Sequence, residues 1–296
     1  KNGGKLPVIT SCSPGWVKFM ETFYPHLSEY VSTAKSPQQM FGTLSKTYYS
    51  EIKGIPAENI VSVSVMPCTA KKFECARPEM NDSSFRDVDY VLTTREIARM
   101  MKEAGIDLRE MPDEPADNPM GEYTGAATIF GATGGVMEAA LRSAYFLITG
   151  KELEDVDILP VRGMKGVKEA EIDINGMKLK VAVAHGLGNA RIILDKVSEQ
   201  LQNTGKSEYH FIEIMACPGG CVGGGGQPWG SDMARRARRG ETLFQEDKSL
   251  PFRRSHEYPS IKAIYEKYLE KPNSEKAHHL LHTHYFKRSK VDGRII

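Results

Sequence analysis

The sequence has few cysteines, no strong charge of either sign and no long apolar run. Only five of its 296 residues are Cys, an odd number and too few for a disulfide framework. The 39 Lys and Arg nearly balance the 38 Asp and Glu, so the formal charge is +1, whereas nucleic-acid-binding surfaces are usually strongly basic. No apolar stretch reaches the roughly 18 residues that a membrane helix needs. These absences predict a soluble globular protein of a reducing compartment, with no nucleic-acid partner and no membrane span.

The length suggests two domains, or one large domain with two lobes, at roughly 100–200 residues per domain. A chain this long can bury a substantial core without staples. The first residues, KNGGKLPVIT, lack the apolar stretch of a signal peptide, so nothing here directs export.

Short β-branched runs alternate with longer helical patterns, which predicts an α/β fold with a largely parallel sheet. The predicted strands are residues 7–10, 60–66, 88–92, 180–184 and 211–215. The predicted helices are residues 15–30, 37–49, 134–148, 189–201 and 260–269. Thr93 and Glu96 form a capping-box pattern at the start of a further helix. Residues 111–125 read as a long surface loop, and RRARRG at 235–240 as a short basic loop or helix.

Three of the predicted strands run directly into cysteines. VIT precedes Cys12, VSVSVM precedes Cys68, and FIEIM precedes Cys217 and Cys221. Ligands of open α/β sheets bind beyond the carboxyl ends of the strands, and Pro or Gly beside these cysteines favours tight turns there. An isolated free Cys is usually a small buried hydrophobe, but four thiols at strand ends indicate a ligand site.

The spacing of these cysteines favours an iron–sulfur centre over structural zinc. A zinc site usually combines two close Cys pairs, whereas here one pair, Cys217 and Cys221, joins scattered single residues. Thiolates are the usual ligands of iron–sulfur clusters. Six of the eight residues from 219 to 226 are glycine, which leaves room for a bulky inorganic centre and frees backbone N–H groups to donate to it.

Three segments carry a resemblance to a known family. TSCSPGW at 10–16, MPCTAKKFE at 66–74 and EIMACPGGCVGGGGQP at 213–228 resemble the three signatures of the iron-only, or [FeFe], hydrogenases. The likeness extends over nearly the whole chain. It implies two lobes with mostly parallel sheets flanked by helices, and a metal cluster in the cleft between them. The implied cofactor is the H-cluster, a [4Fe–4S] cubane bridged by a cysteine to a di-iron unit with CO, cyanide and azadithiolate ligands.

The resemblance also implies roles for individual residues. Cys68, Cys217 and Cys221 match cubane ligands, and Cys221 matches the thiolate shared with the di-iron unit. Lys71 matches a residue that contacts a cyanide, and Ser32 a member of the proton path. The remaining matches surround the di-iron unit and its ligands, and they are Gln38, Met66, Pro67, Phe130 and Met215. Cys75 is expected to be a buried bystander.

One departure concerns the first signature, which in the family usually reads TSCCPGW. Its first Cys relays protons and its second ligates the cubane, so here Cys12 keeps the relay position and Ser13 stands at a ligand position. We expect the Ser13 oxygen to bind iron as a harder ligand that shifts the cluster's potential. In the alternative, Cys12 rotates in as the ligand and the relay is lost or rerouted.

A second departure is that family members normally have more of the active-site domain before the first signature. This suggests that residues 1–228 are the later part of an H-cluster domain and that 229–296 form a small-subunit-like helical segment. His278 and His282 in that segment are expected to pack rather than to bind metal. A small-subunit-like segment on the same chain favours the cytoplasmic type.

The sequence therefore predicts an [FeFe] hydrogenase that catalyses 2H+ + 2e− ⇌ H2. Its expected partners, outside this chain, are a ferredoxin-like or NAD(P)-linked electron-transfer protein or domain and the maturation proteins that install the di-iron unit. A hydrogen-sensing relative and an iron–sulfur assembly relative that binds only cubanes are the alternatives.

Overall fold

A computed structural model describes residues 4–117, 119–121 and 123–296. In these residues the chain forms an α/β fold with two sheets. The larger sheet has the strand order β1-β6-β5-β4, and the smaller one pairs β2 with β3. The strands are β1 Val8–Thr10, β2 Val63–Met66, β3 Tyr90–Thr93, β4 Val167–Ile174, β5 Met177–His185 and β6 Phe211–Met215.

The sheets are flanked by α-helices, joined by short 3₁₀ and π segments. The helices are α1 Pro14–Phe23, α2 Pro37–Leu44, α3 Ser50–Lys53, α4 Ala70–Cys75, α5 Thr94–Glu103, α6 Gly125–Thr128, α7 Gly135–Thr149, α8 Leu187–Thr204, α9 Met233–Ser249, α10 Pro259–Ile264 and α11 Glu275–Leu281. The predicted α/β class, with a mostly parallel sheet flanked by helices, is confirmed. Within the described part of the chain, no helix is both long and apolar enough to cross a membrane.

The larger sheet is parallel except at one edge. Strand β6 pairs in parallel with β1 and with β5, so that Val8 lies opposite Phe211 and Thr10 opposite Glu213. Strand β4 joins β5 antiparallel. In the smaller sheet β2 and β3 are parallel. The carboxyl ends of β1 and β6 therefore lie side by side, which brings the Cys12 and Cys217 segments to the same edge of the sheet.

Two apolar clusters cover the two faces of the larger sheet. On one face, α1 and α8 contribute Trp16, Met20 and Leu194, which pack against Ile212 and Ala184 of the sheet. On the other face, Met137 and Leu141 of α7 pack against Val181 and Val183. Because helices cover both faces, β6 and the second half of β5 are almost continuously buried, as is typical of parallel strands. This rigid sheet supports the loops at its carboxyl edge.

Several predicted helices are present but interrupted. The helix predicted at 15–30 ends at Phe23 and continues after Tyr24 as a 3₁₀ segment, because Pro25 cannot donate the next helical hydrogen bond. The helix predicted at 37–49 changes to a π segment at Ser45. RRARRG lies inside the long helix α9 rather than in a short element. The capping box of Thr93 and Glu96 is confirmed.

The hairpin of β4 and β5 was missed except for residues 180–184. Its turn is formed by Asn175 and Gly176, both with positive φ. Asn-Gly between two alternating runs is a strong hairpin signal. The predicted loop at 111–125 contains no helix or strand before Gly125 among its described residues, and residues 118 and 122 lie outside them.

One face of β2 is exposed. Val61, Val63 and Val65 alternate along this segment as predicted, but their relative exposures are 64%, 51% and 51%. Tyr90 of β3 is 63% exposed. The alternation correctly predicts a strand, yet its apolar face is about half exposed to solvent in the described part of the chain.

Candidate metal centre

Three loops that follow strands bring the cysteines together. Cys12 follows β1, Cys68 follows β2, and Cys217 and Cys221 follow β6, so the two sheets share one site. Each of these four residues is half-buried and forms no disulfide. Cys75, in contrast, is buried on α4 and packs with Val88 and Val91.

The side chains of Cys12 and Cys221 are neighbours and shift each other's pKa. The interaction with Cys221 lowers the pKa of Cys12, and the Lys71 ammonium shifts it in the same direction. The interaction with Cys12 and burial both raise the pKa of Cys221. Burial also raises the pKa of Cys217, and the neighbouring Cys68 adds to the rise. The four sulfurs are thus close enough to influence one another.

Lys71 is the cation of this site. Its side chain is 5% exposed, and its Nζ lies 3.1 Å from Oε2 of Glu74 and donates to the Cys12 carbonyl oxygen at 3.3 Å. Burial opposes the charged form of Lys71, but the Glu74 carboxylate and the Cys12 sulfur outweigh it, so the pKa of Lys71 is raised. A buried positive charge therefore faces the thiols.

Glu74 organises the polar groups around this lysine. Its Oε2 also accepts a hydrogen bond from Ser36 Oγ at 2.8 Å and one from Gln38 Nε2 at 3.2 Å. Ser64 Oγ donates to Gln38 Oε1 at 2.8 Å. The sequence predicted Gln38 but not Glu74 or Ser36. The available signal was the spacing of Lys71 and Glu74, three residues apart on one helical turn.

The glycine-rich loop packs tightly on the loop that carries Cys68. The Gly226 amide donates to the Pro67 carbonyl oxygen at 3.1 Å. A Cβ at Gly226 would lie 2.9 Å from the Cys68 nitrogen, and one at Gly224 would clash with the Pro67 carbonyl. Gly220 has a φ of +92°, which side chains rarely adopt. Glycine is therefore required where the two cysteine loops meet.

Ser13 lies at the start of α1, beside the segment that carries Cys217. Its Oγ accepts a hydrogen bond from the Ala216 amide at 3.4 Å. Its carbonyl oxygen accepts the amides of Trp16 and Val17, which begin the helix. Ser13 is thus beside the cysteine loops, while the Cys12 sulfur contacts Cys221. Both assignments of the remaining ligand position stay predictions.

Ser32 follows the 3₁₀ segment after α1 and is anchored through its backbone. Its amide donates to Ile9 at 2.8 Å, and Tyr285 donates to its carbonyl oxygen at 2.6 Å. The hydroxyl accepts a bond from the Ala34 amide at 3.4 Å. Its predicted role in proton transfer stays a prediction.

Three predicted apolar site residues belong to the surrounding core. Met215 is 1% exposed at the end of β6. Met66 packs beside Cys75. Phe130 packs partly buried against a cluster that contains Ile129 and Phe244. Their predicted contacts with a di-iron unit stay predictions.

His185 supports the cysteine loop from behind, which the sequence analysis missed. Its Nδ1 accepts the Gly219 amide at 3.1 Å, and its Nε2 lies 3.1 Å from the Met164 carbonyl oxygen, so the proton is assigned to Nε2. Burial lowers the pKa of His185, which keeps the ring neutral and able to accept. The only signal was its position at the end of β5.

Glu213 is a second buried group that the sequence analysis missed. Its carboxylate accepts the amides of Gly134 and Met137, both at 2.7 Å, at the start of α7. Burial raises the pKa of Glu213 despite these bonds. Glu213 therefore fixes the start of α7 to β6 shortly before the cysteines.

A cluster of three carboxylates lies apart from the cysteines. Glu138, Asp157 and Asp247 place carboxylate oxygens within 4.8 Å of one another. Arginines fill the space between them: Arg142 contacts Asp247 at 2.8 Å and Glu138 at 2.6 Å. The cluster is a buried ion-pair network rather than a cation site.

The paired histidines of the C-terminal segment pack as expected. The rings of His278 and His282 stack at 4.4 Å, and His282 Nδ1 lies 2.8 Å from Thr33 Oγ1. The structure thus gives His282 a hydrogen-bond partner in the preceding part of the chain.

The residues present fit an anionic iron–sulfur centre. The donor set consists of soft thiols from three loops, a buried lysine faces them, and a side chain at Gly224 or Gly226 would clash with the Cys68 loop. An α/β fold with such a site is typical of an iron–sulfur protein.

The comparisons identify the family. Residues 1–225 match the family model "Iron only hydrogenase large subunit, C-terminal domain", and residues 233–288 match "Iron hydrogenase small subunit". The chain belongs to the iron-only hydrogenase family.

Individual relatives agree with this assignment. The chain is 55% identical to the NADP-reducing hydrogenase subunit HndD of Solidesulfovibrio fructosivorans, over 97% of this chain and 48% of the relative. It is 48% identical to iron hydrogenase 1 of Clostridium pasteurianum, over 97% of this chain and 50% of the relative. The chain thus spans about half the length of these relatives.

The chain is also similar to a solved hydrogenase structure and, at lower identity, to an iron-sulfur assembly component. A solved apo [FeFe]-hydrogenase HydA1 variant from Chlamydomonas reinhardtii matches with a TM-score of 0.81 and 44% identity, over 95% of this chain and 76% of that one. Cytosolic iron-sulfur assembly component 3 of Rattus norvegicus is 33% identical, over 97% of this chain and 60% of the relative.

Proposed function

We propose that this chain forms the catalytic part of an [FeFe] hydrogenase that interconverts protons, electrons and H2. The observation that carries the proposal is the convergence of three cysteine loops beside the buried Lys71. The identities of 55% and 48% to hydrogenases support it, compared with 33% to an iron–sulfur assembly component.

In this proposal the cysteine loops hold the H-cluster. Cys68, Cys217 and Cys221 would ligate the cubane, Cys221 would be shared with the di-iron unit, and Ser13 would supply the remaining ligand. When bound, the cofactor supplies the redox chemistry and the site of H2 formation. The residues that would contact the cofactor without ligating its metal are Gln38, Met66, Pro67, Phe130 and Met215.

The protein's own contribution is electrostatic and steric. Lys71, held by Glu74 and the Cys12 carbonyl, places a buried ammonium where it favours anionic ligands. Met215 is buried and excludes water without adding a polar group. Cys12 would exchange a proton with its surroundings, and Ser32 would continue the proton's route.

We further propose the division of the chain at 228/229, a cytoplasmic location, and partners that include an electron-transfer protein or domain and the maturation proteins. The similarity to an NADP-reducing hydrogenase subunit favours a ferredoxin- or NAD(P)-linked role.

Infrared spectroscopy of the matured protein tests the function. Bands of bound CO and cyanide, together with H2 evolution from reduced methyl viologen, are expected. Absence of the bands after successful maturation of a known hydrogenase in parallel would contradict the proposal and favour the assembly relative.

The second candidate is a hydrogen sensor, favoured by the Cys12-Ser13 pair at the first signature. A sensor would show the infrared bands but only slow turnover with the artificial donor. Fast H2 production would exclude it.

A further inference from the structure

Residues 32–35 are paired with residues 281–285 of the C-terminal segment, which we call the C-terminal ribbon. Ala34 and His282 form an antiparallel bridge. Two backbone hydrogen bonds of 2.9 and 2.8 Å flank this bridge, and they join Lys35 to Leu281 and Thr283 to Thr33. The ribbon lies within the residues that match the small-subunit model. A short backbone pairing thus connects that part of the chain to the segment that carries Ser32.

Ser32 is held at all three of its polar groups. Its amide donates to the Ile9 carbonyl oxygen at 2.8 Å, and its carbonyl oxygen accepts the Tyr285 hydroxyl at 2.6 Å. Its hydroxyl oxygen accepts the Ala34 amide at 3.4 Å. Of these partners, Tyr285 belongs to the ribbon and Ala34 is paired with it. The ribbon therefore fixes both the backbone and the side-chain oxygen of Ser32.

Tyr285 is a donor whose proton is retained at working pH. Its ring packs, partly buried, against the core cluster that contains Ile9 and Trp16. Burial raises the pKa of the Tyr285 phenol above its ordinary value of 10.0. The hydroxyl therefore stays protonated around neutral pH and continues to donate to the Ser32 carbonyl oxygen.

The ribbon is anchored on both sides. At its start, Leu281 lies in an apolar cluster that also contains Met40 and Leu44 of α2. Just beyond its end, Arg288 contacts Glu21 of α1 at 2.5 Å, and these two side chains are 8% and 0% exposed. Breaking an ion pair that is buried to this degree is strongly unfavourable. The ribbon therefore offers Tyr285 a fixed position.

We propose that Tyr285 is a positioning residue for proton transfer and that it acts through Ser32. The inference rests on the proposed function, in which Ser32 continues the proton's route from Cys12. A hydroxyl that relays a proton accepts one on an oxygen lone pair and releases its own, so no net charge remains on it. The relay requires that the oxygen stays within hydrogen-bond reach of both neighbours. The small-subunit-like part of the chain would thus serve the reaction without touching the cofactor.

The substitution Tyr285→Phe tests this role, because it removes the hydroxyl and keeps the ring in the core. Tyr24→Phe is the matched control. Tyr24 lies in the same core cluster, and its hydroxyl donates to Asp195 of α8 at 2.5 Å. Each variant loses one tyrosine hydrogen bond, so only the partner of the lost bond differs.

The first measurement is amide hydrogen exchange of the metal-free 296-residue chain, followed by mass spectrometry. Tyr285→Phe should speed exchange about fivefold in the peptide that covers residues 31–36, which is the effect of losing one hydrogen bond. Tyr24→Phe should leave exchange in this peptide unchanged. This measurement needs no bound cofactor.

The second measurement is H2 evolution from reduced methyl viologen by the matured protein. Tyr285→Phe should lower the rate about fivefold and raise its solvent deuterium isotope effect, with iron content and infrared bands as in the wild type. Tyr24→Phe should keep the wild-type rate. In a Ser32→Ala background, Tyr285→Phe should cause no further loss, because the hydroxyl that it positions is already absent.

Three results would overturn the role of Tyr285. They are equal rates of H2 evolution in the two Phe variants, a further loss by the same factor when Tyr285→Phe is added to Ser32→Ala, and a shift of the infrared bands in Tyr285→Phe. The last result would mean that the residue acts on the cofactor. Failure of the proposed function is distinguishable, because the wild-type matured protein would then evolve no H2, whereas these three results leave wild-type turnover intact.

Discussion

Lys71 and Glu74 of α4, the helix that follows β2, form a buried ion pair of 3.1 Å, and Lys71 also donates to the Cys12 carbonyl oxygen after β1. The two side chains are 5% and 8% exposed, so water screens the pair little. Because both sheets meet at this pair, it contributes to the fold as well as to the proposed site.

We predict that Glu74→Gln destabilises the protein by about 3 kcal/mol, since the Lys71 charge would remain buried without its carboxylate. Urea unfolding of the metal-free chain measures the change. Glu103→Gln is the matched control, because it breaks the exposed pair with Arg99 and should cost less than about 0.5 kcal/mol. If both substitutions lowered the free energy of unfolding equally, the buried pair would be no more stabilising than the exposed one.

The arginine network predicts a loss of stability in acid. Burial disfavours the Asp157 carboxylate, but Arg253 and Arg162 outweigh it and hold its pKa at about 2. A lowered folded-state pKa stabilises the fold above the ordinary value of 3.8 and loses that contribution as the pH falls towards 2. We expect Asp157→Asn to reduce the slope of Tm between pH 4 and pH 2, as followed by circular dichroism. Asp113→Asn, in the exposed loop, should leave the slope unchanged.

The positive φ of Gly176, in the turn between β4 and β5, predicts strain in any variant that carries a side chain there. Gly176 has a φ of +84° and no neighbour within 4 Å of an added Cβ. Gly176→Ala should therefore destabilise by about 1 kcal/mol through backbone strain alone. Gly188 of α8 also has open space but no positive φ, so Gly188→Ala should be neutral or stabilising. Thermal melts measure the Tm of both variants. If Tm fell or rose in both, backbone strain at position 176 would not explain the effect.

The contact between the two cysteine loops predicts a specific defect in iron binding. An added Cβ in Gly226→Ala would press on the Cys68 nitrogen and displace this proposed ligand. Iron per chain after anaerobic reconstitution should fall clearly below that of the wild type. In Gly225→Ala the new Cβ meets chiefly the Thr69 side chain at 3.1 Å, which can move, so iron content should be nearly normal.

The same measurement separates the two assignments of the remaining ligand. If Ser13 ligates the cubane, Ser13→Ala loses iron and changes the electron paramagnetic resonance spectrum, while Cys12→Ala keeps the cubane. Loss of the cubane in Cys12→Ala, with normal loading of Ser13→Ala, would assign the position to Cys12 instead.

Local patterns predicted the strands and the cysteine loops because each depends on a few consecutive residues. Strand β6, which precedes Cys217, is buried over most of its length, as its apolar residues predict. Thr93 and Glu96 cap α5, as the spacing of a Thr and a Glu three residues apart predicts. His185 and Glu213 could not be predicted in this way. Each acts on a segment distant in sequence. The pairing of β5 with β6 brings His185 behind the cysteines, and Glu213 meets the start of α7 only in the folded chain.

The exposed valines of β2 have a consequence for handling the chain. A two-stranded sheet has two unpaired edges, and its open backbone groups can pair with another molecule. With Val63 and Val65 of β2 and the preceding Val61 exposed, and almost no net charge to keep molecules apart, the chain alone should self-associate as its concentration rises. We therefore expect its solubility to depend on this short strand and the residues just before it.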